Sequence, residues 1–201
     1  MREVRIMKAD NIKLVHRGEY LSYYEIAYSD EQGNHKTYEM VSKKGSKFNN
    51  TEELTLSDIG KGDIAIVLIV LNRDHSKMLL LKEFRMGVNQ YVYGQVTGFI
   101  DEGETDEQAA ARELKEEAGL NLVKIIDKLP GSFSCAPVAD DKAIMLVCEA
   151  EGEICNSDNV NEEIYPFWCD KEMARKILFD KNVTFAARTQ AIVYMWLLGA
   201  N

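Results

Sequence analysis

Three glutamates, Glu113, Glu116 and Glu117, are the residues of this sequence whose type and spacing best suit chemistry. Helical residues three and four positions apart share one face, so a helix here would bring the three carboxylates together. Carboxylates packed on one face repel each other unless a positive group lies among them. Because oxygen ligands select hard cations, the pattern indicates a site for Mg²⁺ or Mn²⁺ rather than zinc. A solvated acidic helix is the alternative that the glutamates alone leave open.

Signals at both ends of this segment predict a helix from Thr105 to Ala118. Thr105 and Gln108 have the spacing of a capping box, and Gly119 supplies a left-handed cap at the carboxyl end. Another face carries side chains that allow close packing against a sheet: Ala110, Ala111, Leu114 and Ala118. We therefore expect one face of the helix in a core and the carboxylates on a different face.

The wider segment, residues 98–120, resembles the signature of the Nudix hydrolase family position by position. The matching residues are Gly98, Glu104, Arg112, Glu113, Leu114, Glu116, Glu117, Gly119 and Leu120. The resemblance implies an α/β fold, the Nudix-type α/β/α sandwich with a mixed sheet. It also implies hydrolysis of a nucleoside diphosphate linked to another moiety.

The resemblance assigns roles to single residues of the segment. Glu113 and Glu117 match the principal metal ligands, and Glu116 matches a third ligand with a catalytic role. The family also uses a backbone carbonyl just before the first glycine, which is the carbonyl of Thr97 here. The remaining matches are structural: Gly98, Glu104, Arg112 and Gly119. Since a charge-assisted hydrogen bond holds a carboxylate in place, we expect Arg112 to fix the glutamates.

Three segments outside the signature resemble the ADP-ribose and nucleoside diphosphate sugar pyrophosphatase branch of the family. They are residues 39–43, 82–85 and 94–98. This resemblance implies substrate contacts from the following residues: Arg85, Lys43, Phe99 and Asp141. The guanidinium of Arg85 would face the diphosphate. A salt bridge at a strand end is the alternative for Arg85, and a solvated turn is the alternative for Asp141.

Departures from the branch pattern leave the exact substrate open. Lysine stands at position 43 where the branch has arginine, and Val138 replaces a glycine. Val96 and Thr97 replace a Pro-Ala pair before the first glycine of the signature. None of these changes alters the glutamates of the helix.

The residue that activates water is expected in an acidic loop before the last strand. Residues 159–165 resemble that loop of the branch. Glu162 is the first choice for the general base, or for an additional metal ligand, and Glu163 is the second. An ordinary charged loop is the alternative interpretation.

The elements that must position these residues follow from periodicity and turn signals. Aromatic and β-branched residues predict two strands within residues 20–43, and residues 44–61 are expected to form a polar linker. The apolar run Ile64–Leu71 predicts a strand covered on both faces. Further strands are expected at residues 78–84, 122–128 and 143–150, and further helices at 170–179 and 184–198.

This mixture of elements indicates a sandwich with helices on both faces of the sheet. We expect a small antiparallel β-sheet within residues 1–48 and the Nudix hydrolase domain at 60–201. The branch resemblance implies that the N-terminal strands form a homodimer, in which Tyr23 or Tyr24 stacks on the substrate base.

Composition restricts the classes of partner and compartment. The chain of 201 residues has 24 Lys and Arg against 33 Asp and Glu, a net charge of -9. This charge argues against a nucleic-acid or anionic-membrane binder, because such partners are held by a positive field. Four separated cysteines without a CxxC pair argue against a zinc site or a disulfide framework. With neither a signal peptide nor an apolar run long enough to cross a membrane, we expect a cytoplasmic protein.

Three functions are consistent with the sequence. The leading hypothesis is Mg²⁺-dependent hydrolysis of the pyrophosphate bond of ADP-ribose or a related nucleoside diphosphate sugar, giving a nucleoside monophosphate and a sugar phosphate. The first alternative is a house-cleaning nucleoside triphosphate pyrophosphohydrolase. The second is a catalytically silent Nudix module that binds a nucleotide. In each case the expected partner is a small nucleotide.

Overall fold

The strands of the described residues form two sheets, and the smaller of them comes first along the chain. The computed structural model describes residues 7–47, 52–61, 64–157 and 163–199. The small antiparallel sheet has the order β1-β2-β3, with β1 (Met7–Arg17), β2 (Ser22–Asp30) and β3 (His35–Ser42). The two strands predicted within residues 20–43 are confirmed, and β1 is an addition.

Strand β1 lacks the alternating pattern by which a strand is recognised in a sequence. Its register with β2 shifts between Ala9 and Asn11, and again between Leu14 and His16. Each bulge inserts a residue and reverses the faces to which the following side chains point. Apolar residues therefore do not recur with period two in this segment.

The larger sheet has seven strands among the described residues. Its main path has the order β10-β5-β4-β9-β8, with β6 paired to β5 and β7 paired to β4. The strands are β4 (Ile64–Leu71), β5 (Lys77–Arg85), β6 (Gln90–Gly94), β7 (Thr97–Phe99), β8 (Asn121–Phe133), β9 (Lys142–Glu151) and β10 (Ile164–Asp170). Strand β4, predicted from the apolar run Ile64–Leu71, pairs with β5, the strand that follows it along the chain.

Helices cover both faces of this sheet, as the α/β/α sandwich requires. They are α1 (Asp106–Ala118), α2 (Lys171–Leu178) and α3 (Ala187–Leu198). Along β5, Leu79 and Leu81 pack in a core with α1, whereas Met78 and Leu80 pack in a second core with α2 and α3. Alternate side chains of a strand point to opposite faces, so one apolar run supplies both cores. No helix in the described ranges has the length and apolarity that crossing a membrane requires.

The chain divides into two compact units. The N-terminal unit consists of residues 1–65 and 131–143, and the C-terminal unit consists of residues 66–130 and 144–201. The units are discontinuous along the chain, whereas the predicted domains, 1–48 and 60–201, are continuous, and that assignment stays a prediction. Leu54, within the predicted linker, is 3% exposed and belongs to the core of the N-terminal unit. The linker is therefore also a packing segment.

Candidate active site

Helix α1 presents its glutamates from a position that is fixed at both ends. The Thr105 hydroxyl accepts a hydrogen bond from the Gln108 backbone N–H at 3.2 Å, and the Gln108 side chain accepts one from the Thr105 N–H at 2.9 Å. Gly119 ends the helix at a φ of 72°. The predicted helix and both of its caps are confirmed. Its buried face includes Ala109 instead of Ala111, because the side of the helix toward the sheet is the one that carries the partly buried Glu113 and Glu117, and Ala109 shares that side.

Arg112 joins the loop before α1 to the glutamates on the helix. Its Nε and Nη2 donate to the two oxygens of Glu104 at 3.0 and 2.9 Å, and its Nη1 donates to Glu113 Oε1 at 2.6 Å. Nη2 also donates to the Phe99 carbonyl at 2.8 Å. Bidentate pairing of this kind fixes direction as well as distance. We call this arrangement of Arg112 with Glu104 and Glu113 the arginine fork.

Pairing in the arginine fork stabilises the charged form of both partners. The Arg112 guanidinium holds the pKa of Glu104 below its usual range, mainly by donating hydrogen bonds to the ionised carboxylate. The hydrogen bond to Glu104 in turn raises the pKa of Arg112. Each group therefore stays charged at neutral pH.

Strand β7 brings the residues before the helix against the glutamates. A Cβ added at Gly98 would overlap the carboxylate of Glu113, so the absence of a side chain there makes room for that group. The Thr97 backbone N–H donates to Glu117 Oε2 at 3.4 Å. The contact seen at Thr97 thus involves its N–H, whereas the role of its carbonyl as a metal ligand stays a prediction.

The donor chemistry of α1 suits a hard cation, because all three candidate ligands are carboxylates. Glu113 and Glu116 differ in access, with side chains 13% and 58% exposed. Within the described ranges, no three Asp, Glu, His or Cys side chains converge closely enough to hold an ion as they are placed. A cation would have to draw the carboxylates toward a common point, and Glu113 would then share its oxygens between the cation and Arg112.

Glu163, the second choice for the general base, lies in a hydrogen-bonded group with two tyrosines. Its Oε1 accepts from the Tyr91 hydroxyl and, at 3.0 Å, from the Tyr165 hydroxyl. These bonds, with that from Tyr91 the larger cause, hold the pKa of Glu163 below its usual range. The bond to Glu163 raises the pKa of Tyr91 to about 12. We call these three residues the tyrosine clamp.

The tyrosine clamp lies on the face of the sheet away from α1. Along β10, Ile164 packs in the core with α1, whereas Phe167 packs with α2 and α3, so odd-numbered residues face α2 and α3. Glu163 shares this face with Tyr165, to which it is bonded. The structure therefore does not bring Glu163 together with the α1 glutamates. Glu162, the first choice, lies outside the described residues.

Arg85 ends β5 on the same face as α1. Alternation places it with Leu79 and Leu81, which pack in the α1 core. Its Nη2 forms a 2.7 Å salt bridge with Glu83 Oε2, and half of its side chain is exposed. Arg85 thus forms the strand-end salt bridge that was the alternative interpretation. A guanidinium carries five N–H groups, so this one can also donate to a ligand. Phe99 is 42% exposed.

Lys43 and Asp141 line one small pocket of the N-terminal unit, with a volume of about 70 Å³. The parallel bridge between Val41 and Ala139 brings these distant segments together. Lys44 and Lys61 line the same pocket. Neither lysine stands out in the sequence, since no local pattern indicates which segments of the chain will meet.

The two tyrosines proposed to stack on a base differ in burial. Tyr24 is fully buried, and its hydroxyl donates to the Lys44 carbonyl at 2.9 Å and accepts from the Leu54 N–H at 3.1 Å. Its ring is part of the core and cannot reach a substrate. The prediction that Tyr24 stacks on the substrate base is therefore wrong. Tyr23 is half-buried on the opposite face of β2, and stacking by Tyr23 stays a prediction.

Comparisons with known proteins extend these observations. The family profile described as NUDIX domain matches residues 62–188. An ADP-sugar pyrophosphatase of Mus musculus is 32% identical over 109 residues, 53% of this chain and 45% of that protein. An ADP-ribose pyrophosphatase of Saccharomyces cerevisiae is 31% identical over 134 residues, 66% of this chain and 53% of that protein. The chain thus spans about half the length of these curated relatives.

A solved structure extends the likeness to the fold of the whole chain. The crystal structure of an ADP compounds hydrolase has a TM-score of 0.69 and 20% sequence identity. The match covers 99% of this chain and 98% of that one. At this identity the likeness shows the fold alone, which is the one that the resemblance of residues 98–120 implied.

Proposed function

The chain belongs to the Nudix family, and we propose that it hydrolyses the pyrophosphate bond of ADP-ribose or a related nucleoside diphosphate sugar. The products would be a nucleoside monophosphate and a sugar phosphate. The observation that carries the proposal is the arginine fork, together with the space that Gly98 leaves for Glu113. The single positive charge of Arg112 is shared with Glu104 and does not balance the three glutamates of the helix, so a bound cation would relieve their remaining repulsion. The arrangement therefore favours an enzyme over a silent module.

The proposed cofactor is Mg²⁺, with Mn²⁺ as a possible substitute, because carboxylate oxygens prefer hard divalent cations. Glu113, Glu116 and Glu117 would hold it, with the carbonyl of Thr97 as a further ligand. A bound cation would supply charge neutralisation for the phosphate oxygens. The part of Arg112 is to keep Glu113 in a fixed direction before and during the reaction.

The proposed general base is Glu162, which would take the proton from the attacking water. Glu163 is the second choice, and its two tyrosine hydrogen bonds argue against it. A carboxylate whose charged form is stabilised in this way binds a proton less readily, and so is a weaker base. A Glu162→Gln variant should lower kcat and leave KM nearly unchanged, because the base acts mainly in the transition state.

Four side chains are proposed to contact the substrate: Arg85, Lys43, Phe99 and Asp141. The guanidinium of Arg85 can grip two diphosphate oxygens at once. The contacts of the other three follow from the branch resemblance alone. Each alanine variant should raise KM more than it lowers kcat if the side chain binds the ground state and the transition state equally.

The substrate class rests on the branch resemblance and on the names of the relatives. Two of them are called an ADP-sugar pyrophosphatase and an ADP-ribose pyrophosphatase. The small antiparallel sheet before the family domain is a further feature of that branch, and this chain has one. These observations favour a nucleoside diphosphate sugar over a nucleoside triphosphate.

A panel of nucleotides incubated with Mg²⁺ tests the proposal directly. Release of a nucleoside monophosphate and a sugar phosphate from ADP-ribose or a similar compound is the expected result. Release of pyrophosphate from a nucleoside triphosphate would favour the house-cleaning alternative. Binding without turnover of any nucleotide would favour the silent module.

We also propose a homodimer formed through the N-terminal sheet. Exposed apolar side chains lie at and beside this sheet, with Leu21 49% and Tyr38 38% exposed. A second copy could cover such a surface. Light scattering should give about twice the monomer mass of 22.8 kDa. Deletion of residues 1–45, or the milder Leu21→Glu, should weaken both dimerisation and cleavage, and a fully active wild-type monomer would contradict the proposal.

A further inference from the structure

The tyrosine clamp fastens the ends of three adjacent strands. Tyr91 belongs to β6, Tyr165 to β10, and Glu163 immediately precedes β10, while β5 lies between these two strands. The Glu163 carbonyl accepts a hydrogen bond from the Phe84 N–H of β5 at 3.0 Å. Side-chain and backbone bonds of one residue thus join all three strands at the point where β5 ends.

We propose that the tyrosine clamp positions Arg85 for substrate binding, from the opposite face of the sheet. In this inference Tyr91 and Tyr165 are positioning residues, and neither of them touches the substrate. The inference rests on the proposed function, in which Arg85 binds the diphosphate. It requires that the clamp control the backbone from which the Arg85 side chain extends.

The backbone just before Arg85 is held by contacts of the clamp. Phe84 donates its N–H to Glu163, and its ring meets the Tyr91 ring edge-on with centroids 5.4 Å apart. Phe84 and Tyr91 are also cross-strand partners in the β5–β6 ladder. Such pairs stabilise the local sheet. Loss of the Tyr91 bond leaves the Glu163 side chain with one of its two tyrosine hydrogen bonds, and so loosens the residue whose carbonyl accepts from Phe84.

Because successive side chains of a strand point to opposite faces, a restraint on Phe84 on one face also affects Arg85 on the other. Phe84 faces the clamp, so the next residue, Arg85, faces α1. A small rotation of the backbone at Phe84 would swing the long Arg85 side chain by a larger distance. The salt bridge of Arg85 to Glu83 restrains the guanidinium on the α1 face. The clamp restrains the main chain, and these two restraints together define where the guanidinium lies.

Lys82 adds a further contact to the tyrosine clamp. Its Nζ lies 4.5 Å from the centre of the Tyr91 ring, a cation–π geometry. Lys82 and Tyr165 are cross-strand partners on the same face. This contact helps to hold the Tyr91 ring in the position from which its hydroxyl donates to Glu163.

A double-mutant cycle between Tyr91→Phe and Arg85→Ala tests the inference with the nucleotide sugar that the wild type cleaves best. Tyr91→Phe keeps the ring and removes one hydrogen bond, so KM should rise about threefold to tenfold with kcat within about twofold. In the Arg85→Ala background the same change should have no further effect on KM. Tyr93→Phe, on the same strand and face, is the matched control and should leave KM unchanged.

The possible results distinguish failure of the positioning role of the tyrosine clamp from failure of the proposed function. An unchanged KM in Tyr91→Phe, or an equal rise in KM with and without Arg85, would overturn the positioning role. A purely structural role would produce the equal rise, because it does not act through Arg85. Hydrogen exchange at the Phe84 amide adds a second readout, and it should speed up in Tyr91→Phe. If the wild type neither binds nor cleaves any nucleotide, the proposed function fails and the role of Arg85 fails with it.

Discussion

Two regions of the molecule, residues 97–119 and the N-terminal unit, are held together by contacts of very different sequence range. Within residues 97–119, Arg112 reaches Glu104 eight positions away and the Phe99 carbonyl thirteen positions away. In the N-terminal unit, the Tyr38 hydroxyl donates to the Pro137 carbonyl across 99 positions. The first region is held by contacts within one short segment, and the second by contacts between segments far apart in the chain.

Because of this difference, we expect changes in the first region to affect catalysis and changes in the second to affect folding. In residues 97–119 the interactions act on carboxylates that are proposed to bind a cation, so a small change there should alter turnover and leave the fold intact. In the N-terminal unit the comparable interactions satisfy buried polar groups, such as the hydroxyl of Tyr24. A small change there should alter stability first.

The sharpest way to break this comparison is to remove a charge from α1. Glu117→Gln keeps the shape of the side chain and removes the charge that a hard cation needs, so kcat should fall by at least about 100-fold. Glu107→Gln, an exposed position on the same helix, is the matched control and should keep most of the activity. Near-normal turnover of Glu117→Gln at saturating Mg²⁺, measured with a folded protein, would rule out Glu117 as a ligand.

A side chain added next to the arginine fork tests whether the position of the Glu113 carboxylate, as well as its charge, is needed for turnover. The Cβ of Gly98→Ala would overlap the Glu113 carboxylate and displace it. A shift of about 1 Å in a catalytic group can lower the rate by roughly 100-fold, so we expect a loss of about 10- to 100-fold. An alanine Cβ at Gly94 would meet no atom within 4 Å, which makes Gly94→Ala the control. Equal activity of the two variants would show that the Glu113 position is not critical.

The corresponding change in the N-terminal unit is Gly45→Ala. Gly45 has a φ of 78°, and an added Cβ would overlap the Tyr24 hydroxyl. Gly33 has the same φ with open space around it, so Gly33→Ala isolates the cost of the left-handed backbone. Gly45→Ala should lower the free energy of unfolding by about 1–2 kcal/mol more than Gly33→Ala, measured with urea. Similar losses would mean that the Tyr24 hydrogen bonds contribute little.

The smallest expected effect concerns the pH dependence of the fork. The pKa of Glu104 lies below its ordinary value of 4.5 in the folded protein. Its contribution to stability is therefore fully present above that ordinary value and is lost as the pH falls through the folded pKa. The difference in melting temperature between wild type and Glu104→Gln should be constant near neutral pH and shrink in acid.

A difference between wild type and Glu104→Gln that persists at low pH would contradict ionic pairing with Arg112. Glu102→Gln, also in the loop before α1, controls for loss of a carboxylate. Because Glu104 acts through Arg112, turnover by Glu104→Gln should exceed that by Glu117→Gln.

Local signals predicted the elements that local interactions determine. The helix over residues 106–118, its capping box and its Gly119 cap were all evident in the sequence, because each depends on residues within one helical turn. The buried strand Ile64–Leu71 was equally evident. The errors came where tertiary contacts intervene: bulges concealed β1, and the contact with the sheet selected Ala109 over Ala111.

By itself the sequence determined the family, the fold class and the set of carboxylates on one face of α1, since these depend on the spacing of nearby residues. Only the tertiary structure decided which face of the sheet each strand residue occupies. It placed Arg85 on the α1 side and Glu163 on the other, and it joined Lys43 to Asp141 in one pocket. The physical reason is that strand pairing brings together residues far apart in the chain, and spacing along a sequence carries no record of such encounters.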